Sequence, residues 1–248
     1  MAETDDLELD LIAVGAHPDD VEIACGGTLA RLARKGYAVG IVDLTDGEPT
    51  PGSPGPDVRL EEARKAGEIL GAARRFNLNL PNRRLFDGFE ARVALATLFR
   101  RHRPKVVIGF GGKTVMASPD HYQAMLITDA AVFYSRLTKW DEHFDGLPPH
   151  AIANQLSFPL TLHGLNLPES SSFVIADVGA TLDVKLEAIR CYRTQFPPSK
   201  AGVFQAVEAM NRYHGQTAGY EAGELFLTYR SIGVDDLVRW ASPAHART

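Results

Sequence analysis

Cysteine is scarce: Cys25 and Cys191 are the only two in 248 residues, far apart and each beside apolar neighbours. No disulfide framework can be read from such a pair, which agrees with a reducing, cytoplasmic setting. Long apolar runs are missing too, and nothing approaches the roughly 18 residues that a membrane-spanning helix needs. The opening Met1-Ala2-Glu3-Thr4-Asp5-Asp6 is acidic and lacks the basic and apolar regions of a signal peptide. Positive charge is not in excess, since 26 Lys and Arg face 31 Asp and Glu for a formal net charge of −5. That balance argues against a large surface for phosphate backbones, and no nucleic-acid partner is expected. With 45% hydrophobic and 23% charged residues, the chain is neither disordered, collagen-like nor a coiled coil.

What is present is an alternation of short apolar runs with amphipathic stretches. Leu7–Ala16, Tyr37–Leu44, Phe76–Leu80 and Lys105–Phe110 read as strands. Between them, a stretch opening at Gly26-Gly27 and ending at Lys35-Gly36, then Arg59–Leu70 and Ala91–His102, read as helices. This alternation predicts βαβ units and a parallel sheet covered on both faces. The expected fold is α/β, a Rossmann-like three-layer sandwich with a mostly parallel sheet. Beyond Leu137 the pattern loosens, with short strands at Ala151–Phe158 and Phe173–Ala176 and helices at Ala180–Phe196 and Ala201–Tyr213. Residues 1–248 are read as one domain, with a core of about 7–137, a small C-terminal lobe of about 138–241 and a frayed tail at Ser242–Thr248.

In open α/β sheets, ligands bind beyond the carboxyl ends of the strands. Two strand ends carry polar clusters: Gly15-Ala16-His17-Pro18-Asp19-Asp20 after the first strand, and Ser118-Pro119-Asp120-His121 after the Lys105–Phe110 strand and a Gly-rich loop. If the two strands adjoin, both clusters face one crevice. His17 and Asp20 could then approach one ion and His121 could close a His₂-Asp triad, leaving a position open for water as catalytic zinc sites do. Asp19 would be left over as a general base. Simpler roles compete: Asp19 or Asp20 could cap a helix, and Ser118-Pro119 is a good N-cap and first-turn pair. Gly112-Lys113-Thr114 has the look of a P-loop end, but the first glycine that motif requires falls on Val107, and the helix starts too late.

Ala16-His17-Pro18-Asp19-Asp20, with Glu22 and Gly26-Gly27-Thr28, resembles the first motif of the LmbE-like (PIG-L type) zinc de-N-acetylases, and Pro119-Asp120-His121 resembles the second. Arg59 with Glu62-Ala63 and Asn79-Leu80-Pro81 resemble segments between them. The resemblance implies His17, Asp20 and His121 as zinc ligands, other divalent ions being acceptable to such a set. It implies Asp19 as the base on the attacking water and Arg59 as a substrate contact. It further implies a hydrolase that removes acetyl groups from N-acetylglucosamine conjugates, a small-molecule glycoconjugate substrate and a homo-oligomer.

The sequence departs from the family at one position, because the second motif usually begins with histidine and residue 118 is serine. In the family that histidine polarises the carbonyl and stabilises the oxyanion, and the aspartate at the position of Asp120 orients it, so Asp120 is expected to lose its usual partner. Three explanations stand open. Ser118 donates the hydrogen bond itself; Lys113, His150, His163 or His214 enters the space; or the protein is a weakened or non-catalytic sugar- and metal-binding member of the fold.

Overall fold

The computed structural model describes residues 7–160 and 172–236. The tail 242–248 and His163 lie outside them. Seven strands form a single sheet: β1 (Leu11–Gly15), β2 (Val39–Asp43), β3 (Arg74–Asn77), β4 (Val106–Phe110), β5 (Asn154–Phe158), β6 (Ser172–Asp177) and β7 (Gly223–Thr228). Their order is β3-β2-β1-β4-β5-β7-β6. The first five are parallel, and β7 runs antiparallel to both its neighbours. Among the described residues six helices cover the sheet: α1 (Asp20–Arg34), α2 (Pro56–Leu70), α3 (Phe89–His102), α4 (Asp120–Tyr134), α5 (Leu182–Arg190) and α6 (Gly202–Thr217). No helix among the described residues is long and apolar enough to cross a membrane.

Right-handed crossovers assign the layers. From β1 through β2 to β3 the chain steps in one direction, which puts α1 and α2 on one face; the return from β3 to β4 crosses β1 and sends α3 and α4 to the other. The packing agrees, with α1 against α2 and α5, and α3 against α4. Strands covered on both sides must be apolar throughout. Ile12, Ala13 and Val14 of β1, Val39, Ile41 and Val42 of β2, and Val107 and Ile108 of β4 are accordingly buried. β1 pairs with β4 in register Leu11↔Val106 to Ala13↔Ile108, so the two strand ends that carry the polar clusters adjoin. The chain diverges to opposite sides there, which is the switch point where such sheets bind ligands.

Several boundaries differ from the sequence pattern. α1 begins at Asp20, not at the glycine pair, because the acidic first turn is buried against partners: Glu22 meets Arg75 at 2.5 Å and the Tyr192 hydroxyl at 2.8 Å. Gly26-Gly27 instead follows a break at Cys25 (φ −140°, ψ 18°). The break leaves the N–H groups of Gly27 and Thr28 to donate to the Glu224 carboxylate, at 2.9 and 2.7 Å, as an N-terminal cap would. Residue 27 must be glycine, since a Cβ there would lie 2.9 Å from Val178. Strand β7 escapes the pattern because Glu224 is buried within it, paired with Lys185 of α5 at 2.6 Å. The helix expected over 180–196 stops at Arg190.

Both members of the Lys185–Glu224 pair are fully buried, so removing one leaves an uncompensated charge. Lys185→Ala should destabilise the fold by about 3–5 kcal/mol in urea denaturation, and Lys185→Met combined with Glu224→Gln should cost less than the single change.

Candidate active site

β1 ends at Gly15, where a Cβ would crowd the Asp20 Cβ at 3.1 Å and the His17 carbonyl at 3.2 Å. Glycine thus lets the chain fold back so that the Asp20 carboxylate meets the strand end. Asp20 Oδ2 accepts the backbone N–H groups of Ala16 (3.0 Å) and His17 (2.8 Å). With that oxygen fixed, Oδ1 lies 3.3 Å from His121 Nε2, and His17 Nδ1 lies 3.4 Å from Oδ2. His121 sits in the first turn of α4, stacked on Phe110 at the end of β4 (centroids 4.7 Å apart, planes at 20°).

His17, Asp20 and His121 bring one donor atom each to within 4.8 Å of the others. Donors of a tetrahedral zinc, at about 2.0–2.1 Å from the ion, stand roughly 3.3–3.4 Å from one another, which is the spacing of the two His–Asp contacts. His121 Nε2 and His17 Nδ1 each face one oxygen of the Asp20 carboxylate, so both rings turn a nitrogen toward the cluster. The donor set therefore fits a divalent cation.

Burial disfavours a charged His17 ring, but Asp120 and Asp20 outweigh it and hold its pKa up at about 10. Burial likewise opposes ionisation of Asp20, yet His121 and His17 keep its carboxyl far below the usual range. A proton on His17 and a cation in the cluster are alternative ways to satisfy the same carboxylates.

Asp19, between them in sequence, is pushed up to about 7 by burial, against the pull of Arg59. Its backbone is left-handed (φ 113°), a conformation that costs an ordinary residue about 1–3 kcal/mol and persists where neighbours enforce it. Arg59 is the neighbour that enforces it. Buried on α2 and lying over the Tyr192 ring, it donates through Nη2 to the Pro18 carbonyl at 2.5 Å and stands 3.2 Å from Asp19 Oδ2.

Asp120, without the family's usual histidine partner, is engaged by others. Its Oδ2 lies 3.4 Å from His17 Nε2 and accepts the Arg83 N–H at 2.6 Å. Ser118 accepts the Asp120 N–H on its Oγ at 3.2 Å and faces the crevice. Of the groups that were candidates for the missing histidine's place, Lys113 is exposed on its loop, His150 bonds the Pro104 carbonyl at 2.8 Å, and His214 is buried on α6. None of these three lines the crevice.

The crevice is a cavity of about 320 Å³ that gathers His17, Asp19, Asp20, His121, Arg59 and Ser118. It also contains residues that sequence reasoning did not place there: Thr50, Asn82, Met116 and Phe196. Asn82 Nδ2 donates to the Glu48 carbonyl at 2.8 Å, while its Oδ1 is buried and unpartnered, as are Arg59 Nε and Nη1. Unpaired donors beside an unpaired acceptor suit a hydroxyl-bearing ligand. Asn82 directly follows the Asn79-Leu80-Pro81 segment, so a local signal for it existed. Gln195 and Phe196 are held there by a tertiary tether, Glu62 of α2 binding the Thr194 N–H at 3.0 Å and its hydroxyl at 2.6 Å.

Residues 12–132 match the family model described as PIG-L, GlcNAc-PI de-N-acetylase. The diacetylchitobiose deacetylase of Thermococcus kodakarensis is 29% identical over 226 residues, which covers 86% of this chain and 80% of the relative. A 1D-myo-inositol 2-acetamido-2-deoxy-alpha-D-glucopyranoside deacetylase of Saccharopolyspora erythraea is 30% identical over 236 residues, covering 75% of this chain and 77% of the relative. Among solved structures, the conserved protein TT1542 of Thermus thermophilus superposes with a TM-score of 0.77 at 36% identity, covering 92% of this chain and 98% of that one. The matched stretch takes in both polar clusters and the strands that bring them together, and the chain belongs to the PIG-L family of de-N-acetylases.

Proposed function

We propose that the chain is a zinc-dependent hydrolase that removes the acetyl group from an N-acetylglucosamine-type conjugate, releasing acetate and the free amine. The observation that carries this reading is the His17–Asp20–His121 donor cluster set beside Asp19 in one cavity. The deacetylases among the relatives support the substrate class. Homo-oligomeric assembly belongs to the same reading, closed symmetry being the general rule for soluble oligomers.

His17, Asp20 and His121 would hold the ion. When bound, zinc polarises the amide carbonyl and acidifies water in its coordination sphere. Asp19 takes the proton from the attacking water on its carboxylate and returns it to the departing nitrogen. Arg59 keeps that carboxylate and its strained backbone in place, and its unpaired Nε and Nη1 meet sugar oxygens. The Ser118 Oγ already accepts the Asp120 N–H, so its own proton is available to the oxyanion in the place of the family's histidine. Asp120 serves the site through the groups it holds. Lys113, on the exposed loop before Ser118, contacts whatever part of the conjugate projects from the cavity.

Acetate release from a panel of N-acetylglucosamine conjugates tests this reading. Zinc-loaded protein should release acetate, a strong chelator should abolish release and added zinc should restore it. A chain that binds zinc yet frees no acetate from any conjugate would be a binding protein of the same fold, and the proposal would fail. Asp19→Asn should lower kcat by about 10²–10⁴ while zinc content stays at the wild-type level. Ser118→Ala should lower kcat by about 10²–10³ if its hydroxyl serves the oxyanion, with only a small fall in Tm from the lost contact with the Asp120 N–H. An unchanged kcat would remove Ser118 from the chemistry.

A further inference from the structure

We infer that Asp120 is a positioning residue for the metal-binding imidazole of His17. The inference rests on the reading of His17 as a ligand. In the motif that this chain resembles, the aspartate serves a histidine two residues before it; here that residue is Ser118, whose Oγ is engaged by the backbone N–H of Asp120 itself. The carboxylate turns instead to the other strand end. Oδ2 lies 3.4 Å from His17 Nε2 and is anchored by the Arg83 N–H at 2.6 Å, and the residue is 1% exposed. It has little freedom to swing toward a substrate.

The two nitrogens of His17 thereby acquire different tasks. Nε2 faces Asp120, and Nδ1 faces the Asp20 side of the cluster, 3.4 Å from Oδ2. An Nε2–H donated to Asp120 leaves the lone pair on Nδ1, aimed where a cation would sit. A carboxylate behind a ligating histidine sets the tautomer and ring orientation and raises the basicity of the donor nitrogen. His121 has no equivalent support: its Nδ1 is buried and unpartnered, and its ring is steadied by stacking on Phe110. The burden of orienting an imidazole through a carboxylate therefore falls on the Asp120–His17 contact. Because the same oxygen holds the Arg83 N–H, Asp120 also ties a wall of the cavity to the metal position.

The test is zinc affinity, measured by competition with a chromophoric chelator on wild type, Asp120→Ala and Asp120→Asn, with cobalt(II) absorption spectra of each. Asp120→Ala should bind zinc about 10- to 100-fold more weakly and shift the cobalt bands, with Asp120→Asn between it and wild type, because an amide oxygen still accepts the Nε2–H. The rise in Tm on adding zinc should shrink in the same order. Should Asp120→Ala fail to fold, Asp120→Asn alone carries the comparison. Unchanged zinc affinity and cobalt spectra alongside a reduced kcat would move Asp120 to the substrate side and overturn the inference. So would a lowered Tm of the metal-free form with an undiminished zinc-induced rise, which would make its role purely structural. A wild-type chain that takes zinc but frees no acetate would sink the hydrolase reading and leave this one standing; a chain that takes no divalent ion would sink both.

Discussion

The pairing of β1 with β4 is the contact on which the site depends. His17, Asp19 and Asp20 belong to one strand end and Ser118, Asp120 and His121 follow another, about a hundred residues away. They share a crevice because Leu11 to Ala13 lie in register with Val106 to Ile108. Both strands are central and buried, so their own side chains are apolar, and polar groups can gather only past their ends. Drawing carboxylates out of water costs several kcal/mol per ion unless partners compensate. Here the compensation comes from backbone N–H groups on Asp20, the Arg59 guanidinium beside Asp19 and the Arg83 N–H on Asp120.

The sequence made the parallel core and the donor cluster readable for a common reason. Val39-Gly40-Ile41-Val42 and Val106-Val107-Ile108 are continuous apolar runs, as doubly covered strands must be, and His-Pro-Asp-Asp and Pro-Asp-His stand out as polar groups at their ends. What could not be read locally is what tertiary partners make tolerable. Glu22 counts against an apolar helix face until Arg75 and Tyr192 are placed beside it, and Glu224 hides β7 until Lys185 reaches it. The role of Asp120 was obscured in the same way. A motif fixes neighbours in sequence, whereas the partner of this carboxylate, His17, comes from across the sheet.

Two buried charge networks flank α1 and explain how a helix with a broken turn is tolerated. On the side of its first turn, Arg75 joins Glu22 to Asp43 with a paired guanidinium–carboxylate contact at 2.7 and 2.9 Å. Past the break at Cys25, Glu224 receives the two N–H groups that the break releases and is itself neutralised by Lys185, which also donates to Asn211 at 3.0 Å. The first half is held through the helix's own Glu22, and the second by Glu224 and Lys185 from outside it. Its first residue, Asp20, consequently presents its carboxylate from a fixed platform.

Arg59 and Glu62 stand three apart on α2, one steadying Asp19 and the other tethering the Thr194 segment. A single rigid rod thus governs both the floor of the cavity and one bank of it, and neither can be remodelled without disturbing the other. The loop between β4 and α4, which brings Met116 (92% exposed) to the same cavity, lies outside that tether, and changes of length there cost little. Under the proposed reading, adaptation to a different conjugate would have its cheapest route along that loop, leaving His17, Asp19 and Asp20 undisturbed.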